Sequence, residues 1–133
     1  MVEINAYSKA KDGGKKLSAN FTVKEFACKD GSDAVLTAPR LVMVLQSIRS
    51  HFAAPVVIHS AYRTPQYNAE VGGAAHSQHC YGTAADISVR GQTPAAVAAY
   101  ARELMPDWGG VGVYAGQGFT HIDVRETRSD WTG

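Results

Sequence analysis

Cysteine is scarce in this chain: two residues, Cys28 and Cys80, among 133. At most one bridge can form, which excludes a disulfide-stapled scaffold and settles no redox compartment. An excess of either charge is missing as well. Thirteen Lys and Arg face twelve Asp and Glu, giving a formal net charge of +1 with 19% charged residues. Without a basic footprint, nucleic acid is not an expected partner. No segment approaches the ~20 apolar residues of a membrane span. The start, residues 1–11, is polar and mixed in charge, without the apolar stretch of an export signal. Internal repeats and a second-domain linker are also lacking. What is present is 45% hydrophobic residues, enough for one core that buries roughly two thirds of the unfolded surface. A single soluble, monomeric domain without a membrane partner is therefore expected.

Residues 9–20 are rich in Lys, Gly, Ser and Asn, so 1–19 reads as a loose approach segment and 20–133 as the domain. Residues 21–27 predict a short helix opened by Thr22, with Phe21 and Phe26 in the core. From Ala38 to Phe52 the apolar residues Leu41, Val42, Val44, Leu45, Ile48 and Phe52 recur at helical spacing. The run Val56-Val57-Ile58 predicts a buried strand. Residues 66–82, poor in large apolar side chains, predict a helical turn and then a long loop. Alternation over 83–89 predicts a strand with Ala85, Ile87 and Val89 on one face and Ala84, Asp86 and Ser88 on the other. Thr93-Pro94 opens an Ala-rich helix to about Leu104. Residues 109–114 and 119–125 then predict a hairpin whose second strand turns Ile122 and Val124 one way and His121, Asp123 and Arg125 the other, a polar row placed outside the core. The fold class expected is α+β, a small antiparallel sheet packed with helices.

Five histidines occur, at 51, 59, 76, 79 and 121. His51 reads as a helix-end cation and His59 as a satisfied sheet residue. His79, Asp86 and His121 form a His-Asp-His set of the kind an open zinc site needs, three N and O ligands with a fourth position for water, although by spacing alone such a set occurs by chance in many proteins. Gly82 and Ala84 are small where the chain must turn from loop into strand for His79 and Asp86 to converge. Cys80 beside His79 suggests a thiol nucleophile, but adjacent residues of an extended chain point to opposite sides and a small buried side chain is the better reading. Trp108, Tyr114 and Trp131 read as core aromatics more readily than as cleft walls.

Residues 77–86, Ser77-Gln78-His79-Cys80-Tyr81-Gly82-Thr83-Ala84-Ala85-Asp86, carry the pattern S-x-H-x-x-G-x-A-x-D, and residues 119–125 carry F-x-H-x-D-x-R. With Ser60-Ala61-Tyr62-Arg63-Thr64-Pro65, Asn68, Val71-Gly72-Gly73-Ala74 and residues 25–31, the chain closely resembles the zinc D-alanyl-D-alanine carboxypeptidase family over residues 20–126. That family includes phage murein endopeptidases, the D-Ala-D-Ala dipeptidases of vancomycin resistance and a relative of the hedgehog signalling fold. The resemblance implies a hedgehog/DD-peptidase-like fold, zinc held by His79, Asp86 and His121, and Arg63 on the substrate carbonyl, with Tyr62 and Ser77 beside it as substrate-binding residues. A fixed guanidinium suits a tetrahedral oxyanion next to a metal-polarised carbonyl.

The family places an acid or histidine two or three residues before its last zinc histidine, where this chain has Phe119 and Gly118. Asp123 is one candidate for the proton acceptor and equally a carboxylate that orients a histidine ligand; His76 is the other candidate. The implied activity is zinc-dependent hydrolysis of a peptide bond in the stem peptide or cross-bridge of peptidoglycan, by a carboxypeptidase or a murein endopeptidase, at the bacterial cell wall and encoded by a bacterium or its phage. The alternative is a catalytically weakened wall-binding or structural module on the same fold.

Overall fold

The computed structural model describes residues 2–133. Its centre is a five-stranded sheet built from β5 (Val56–Ser60), β6 (Ala84–Val89), β7 (Gly110–Tyr114), β8 (Phe119–Asp123) and β9 (Ser129–Thr132), in the order β5-β6-β8-β7-β9. All neighbours are antiparallel except β7 and β9, which run parallel. The architecture is α+β, as expected, with one parallel edge. Two strand ribbons lie outside this sheet: β1 (Asn5–Ser8) pairs with β4 (Ala34–Thr37), and β2 (Lys16–Ser18) with β3 (Phe21–Thr22).

One face of the sheet is covered by α2 (Pro39–Phe52) and α4 (Pro94–Leu104). Proline at the first turn suits both helices, because its missing N–H would be unpaired there; Thr93 adds a side-chain cap to the Ala96 N–H at 3.1 Å. Leu41, Leu45 and Ile48 of α2 meet Ile87, Val111 and Ile122 of the sheet in one core, while Ala98 and Ala101 let α4 approach closely. The parity expected of β6 and β8 holds: Ala85, Ile87 and Ile122 face the helices, and Asp86, His121 and Asp123 share the opposite face.

Three expectations need correction. The first residues are not a loose approach: β1, the short helix α1 (Lys9–Asp12) and β2 pack onto the domain, and the Ser18 hydroxyl donates to Gln46 of α2 at 2.7 Å. Polar side chains hid this pairing, since backbone ladders hold these strands. The run Val56-Val57-Ile58 is a sheet edge, with Val57 52% exposed. The polar face of β8 is itself buried, His121 at 8% and Asp123 at 0% exposure. A Thr22–Glu25 capping box does open the predicted short helix, here a 3-10 turn over Val23–Phe26. His51 stacks on Tyr100 at 3.7 Å and His59 bonds Ser88 at 2.8 Å.

Candidate metal centre

The register of the sheet lines up a single cross-strand row on the face away from the helices. Ser60 lies opposite Asp86, Asp86 opposite His121, His121 opposite Gly112, and Gly112 opposite Trp131. His79 enters this row from a 3-10 turn (Gln78–Tyr81) that precedes β6. Ser77 caps the turn, its hydroxyl accepting the His79 N–H at 3.2 Å. Gly82 ends it in the left-handed conformation, φ 75°, at a point where a Cβ would fall about 2.6 Å from the Leu36 carbonyl. Glycine is thus required between His79 and Asp86 on both counts.

His79 Nδ1–H donates to the Ala61 carbonyl at 2.7 Å, and its Nε2 faces Asp86 Oδ2 at 3.3 Å. His121 Nε2–H donates to Asp123 Oδ2 at 2.8 Å, and its Nδ1 lies 2.9 Å from Asp86 Oδ1. One ligand atom from each of His79, Asp86 and His121 lies within 4.8 Å of the others, and all three residues are buried. Donors at about 2.1 Å from a tetrahedral ion sit roughly 3.4 Å apart, so two imidazole nitrogens and a carboxylate oxygen at this spacing fit zinc.

The electrostatics of the site favour a cation. Burial alone would raise the Asp86 pKa, yet hydrogen bonds from His121 and His79 hold it well below the usual carboxylate range. Burial opposes the charged form of His121, but Asp123 and Asp86 outweigh it and raise that ring above its ordinary value. Asp123 is likewise held low against burial, by Arg125 and His121. Arg125 grips it with Nε on Oδ1 at 2.9 Å and Nη2 on Oδ2 at 2.6 Å, and adds its backbone N–H at 3.1 Å. Both Asp123 oxygens are engaged, behind His121 and away from the ligand atoms.

Arg63 approaches the opposite side, with Nη2 3.7 Å from Asp86 Oδ2. Ser60 fixes its Nε at 3.1 Å and Asn68 its Nη1 at 3.2 Å, while Asn68 donates in turn to the Ala74 carbonyl at 2.7 Å. A Cβ on Gly73 would land on the Asn68 side-chain oxygen and reach Arg63 Nη1 at 3.0 Å. Gly73→Ala is therefore expected to displace Asn68 and Arg63 and to lower the Tm, which thermal unfolding beside the wild type checks.

These groups floor an open cleft of about 600 Å³ that also reaches His76, Ser77, Tyr114 and Trp131. His76 is exposed on its rim and makes no hydrogen bond among the described residues. Tyr62 does not reach it. Its ring is buried beside Cys28 and Cys80, because the chain after β5 alternates and turns Arg63, not Tyr62, to the cleft. The Cys80 thiol, raised by burial, also lies outside the cleft lining. Tyr114 and Trp131, read as core aromatics from the sequence, stand on the cleft wall; Trp108 instead packs on the core under Arg40, whose guanidinium is 4.9 Å from its ring. The missed signal was the alternation Gly110, Gly112, Tyr114, which leaves the cleft face of β7 without bulk. A Cβ on Gly112 would meet the Trp131 indole at about 2.5 Å.

A family model described as Peptidase M15 matches residues 17–123, a segment that holds all three proposed ligands and Arg63. No curated protein matches the chain.

Proposed function

Because the chain belongs to the Peptidase M15 family, we propose that it is a zinc metallopeptidase that hydrolyses a peptide bond of bacterial peptidoglycan, as a D-Ala-D-Ala carboxypeptidase or murein endopeptidase. The observation that carries this reading is the meeting of His79, Asp86 and His121 with each imidazole's far nitrogen already committed to an acceptor, so that each presents a lone pair to one point. Zinc held there supplies a Lewis acid for the scissile carbonyl and a bound water of lowered pKa.

The remaining work falls to the chain's own residues. Arg63, fixed at Nε by Ser60 and at Nη1 by Asn68, offers to the developing oxyanion its Nη2 hydrogens, which also face Asp86 at 3.7 Å. Asp123 fixes the His121 tautomer and ring plane; with both oxygens bonded and no exposure it is a positioning residue, not the proton acceptor. His76 on the rim is the residue assigned to take a proton at a ring nitrogen and return it to the leaving amine. Ser77 acts on its own turn through the cap, and Tyr62 has no substrate contact in this scheme.

One observation favours a second reading, a wall-binding module without hydrolysis: among the described residues, Asp86 is the only carboxylate residue lining the cleft. Mass spectrometry of muropeptides after incubation with the zinc-loaded protein separates the two. Peptidoglycan cleavage with new amino groups is expected, and Arg63→Ala should lower kcat by about 100-fold. An absence of new amino groups from peptidoglycan or D-Ala-D-Ala peptides overturns the peptidase reading.

A further inference from the structure

Across His121 from Arg63, the cleft wall is built by Tyr114 together with Arg125 and Trp131, the last two beyond the segment that the family model matches. Trp131 of β9 closes the cross-strand row: its indole N–H donates to the Tyr114 hydroxyl at 2.8 Å, and its ring lies 5.0 Å from that of His121. The Arg125 guanidinium stands 5.2 Å from the Trp131 ring. Asp123 holds two of its nitrogens and so fixes its plane, whereas Nη1 has no hydrogen-bond partner among the described residues and the side chain is 30% exposed to the cleft. A guanidinium clamped on one edge, supported by an indole and open on another edge is preorganised for a planar anion.

The surrounding charges favour the same ligand. Arg63, Arg125 and three histidines line the cleft, and its single carboxylate residue, Asp86, belongs to the ligand set. Asp123, fully buried beneath Arg125, already pairs with its charge, so what Arg125 offers the cleft is the directed N–H donors of its unbonded Nη1. With a divalent cation bound, the floor is electropositive and no acid opposes an incoming anion.

Resting on the peptidase reading above, we propose that Arg125, seated on Trp131, is a specificity-determining residue that receives a carboxylate of the substrate, so that the enzyme takes peptides bearing a free carboxylate beside the scissile bond. The peptide crosses the sheet along the row, its scissile carbonyl between Arg63 and the ligand set and its carboxylate-bearing residue against Trp131. Wall peptides offer such a group in two places, the C-terminal carboxylate of D-Ala and the α-carboxylate of γ-linked D-Glu.

Two peptide pairs test the proposal with the zinc-loaded protein: acetyl-Lys-D-Ala-D-Ala with its C-terminal amide, and L-Ala-γ-D-Glu-Lys with its α-amide. Calorimetric titration and hydrolysis are read in parallel. In one pair the acid is expected to bind about 10-fold or more tightly than the amide, and the pair that shows it identifies the source. Arg125→Gln should bring acid and amide within about 2-fold of each other. Because that variant leaves Asp123 without its partner, Arg125→Lys serves beside it: a lysine keeps the counter-charge, loses the fork, and should cut the preference several-fold in a folded protein. Equal or undetectable binding of acid and amide in both pairs, or a preference that survives in a folded Arg125 variant, overturns the proposal. Hydrolysis without preference leaves the peptidase reading standing and removes this one; preference without hydrolysis does the reverse.

Discussion

Replacing Asp86 with alanine is expected to abolish stoichiometric zinc binding and to bring hydrolysis down to background. Two imidazoles would remain, each already donating its far N–H, and a pair of neutral ligands with no charge between them is a poor site for a hard-to-borderline dication. Asp86 is also the group that His79, His121 and Arg63 all face, so its loss removes the common partner of the site. Thermal unfolding with and without zinc gives a readout independent of turnover. At a hundredfold excess over Kd, zinc should stabilise the wild-type protein by about 2.7 kcal/mol and leave Asp86→Ala unmoved.

The same site sets the pH response of the metal-free protein. His121 has its pKa raised above the ordinary 6.5, so its contribution to stability is complete below that pH and is lost as pH rises through the folded value. Asp86 and Asp123 have theirs lowered from 3.8, so their contribution is complete above that value and is lost as pH falls through the folded ones. The metal-free protein should accordingly be most stable in mildly acidic solution and lose stability on both sides. Zinc should remove the alkaline decline, because it takes the position of the His121 Nδ1 proton. A Tm measured against pH in chelator and in zinc checks this; an alkaline decline of the same size in both would refute it.

The helices were legible in the sequence because they rest on short-range pattern, whereas the grouping of His79, Asp86 and His121 was suggested by a resemblance spanning distant motifs, with spacing alone too common to carry it. Helical spacing marked residues 38–52, a Thr-Pro start before an Ala-rich run marked the helix from 93 to about 104, and strand parity placed Asp86 and His121 on the face away from Ile87 and Ile122. Burial of that polar face was not legible, since it depends on β8 pairing with β7 and on β7 pairing with β9. Gly110 and Gly112 empty the cleft side of β7, and Trp131 and Arg125 then roof His121 and Asp123. The strand β9 itself, Ser-Asp-Trp-Thr, has no periodic signal; it exists through parallel pairing with β7. Asn68 was visible as part of a resemblance, but its clamp on Arg63 needs the loop through Gly73 and Ala74 to fold back over α3 (Pro65–Glu70). Tyr62, which the resemblance implied beside Arg63, is buried on the other side of the chain, because neighbouring residues of an extended segment point in opposite directions.

Asp123 is where stability and chemistry separate most cleanly. Asp123→Ala should leave the Arg125 guanidinium and the His121 Nε2–H without their acceptor in a region with no water access, at a cost of about 3–5 kcal/mol. Zinc affinity should fall about 10- to 100-fold, because His121 loses the hydrogen bond that fixes its tautomer. Asp123→Asn keeps the shape and one acceptor oxygen, so urea unfolding should show a smaller loss while zinc affinity still drops by about 10-fold. The two roles open to Asp123 then give opposite results in one experiment. If it positions His121, the Asn variant regains most of its kcat at saturating zinc and keeps the wild-type pH profile. If it accepts the proton, zinc affinity stays near wild type, kcat stays low at every zinc concentration, and the acidic limb of the pH profile disappears. The double grip of Arg125 and the complete burial of the carboxylate favour the first outcome, since a base must present a lone pair to the cleft and Asp123 presents none.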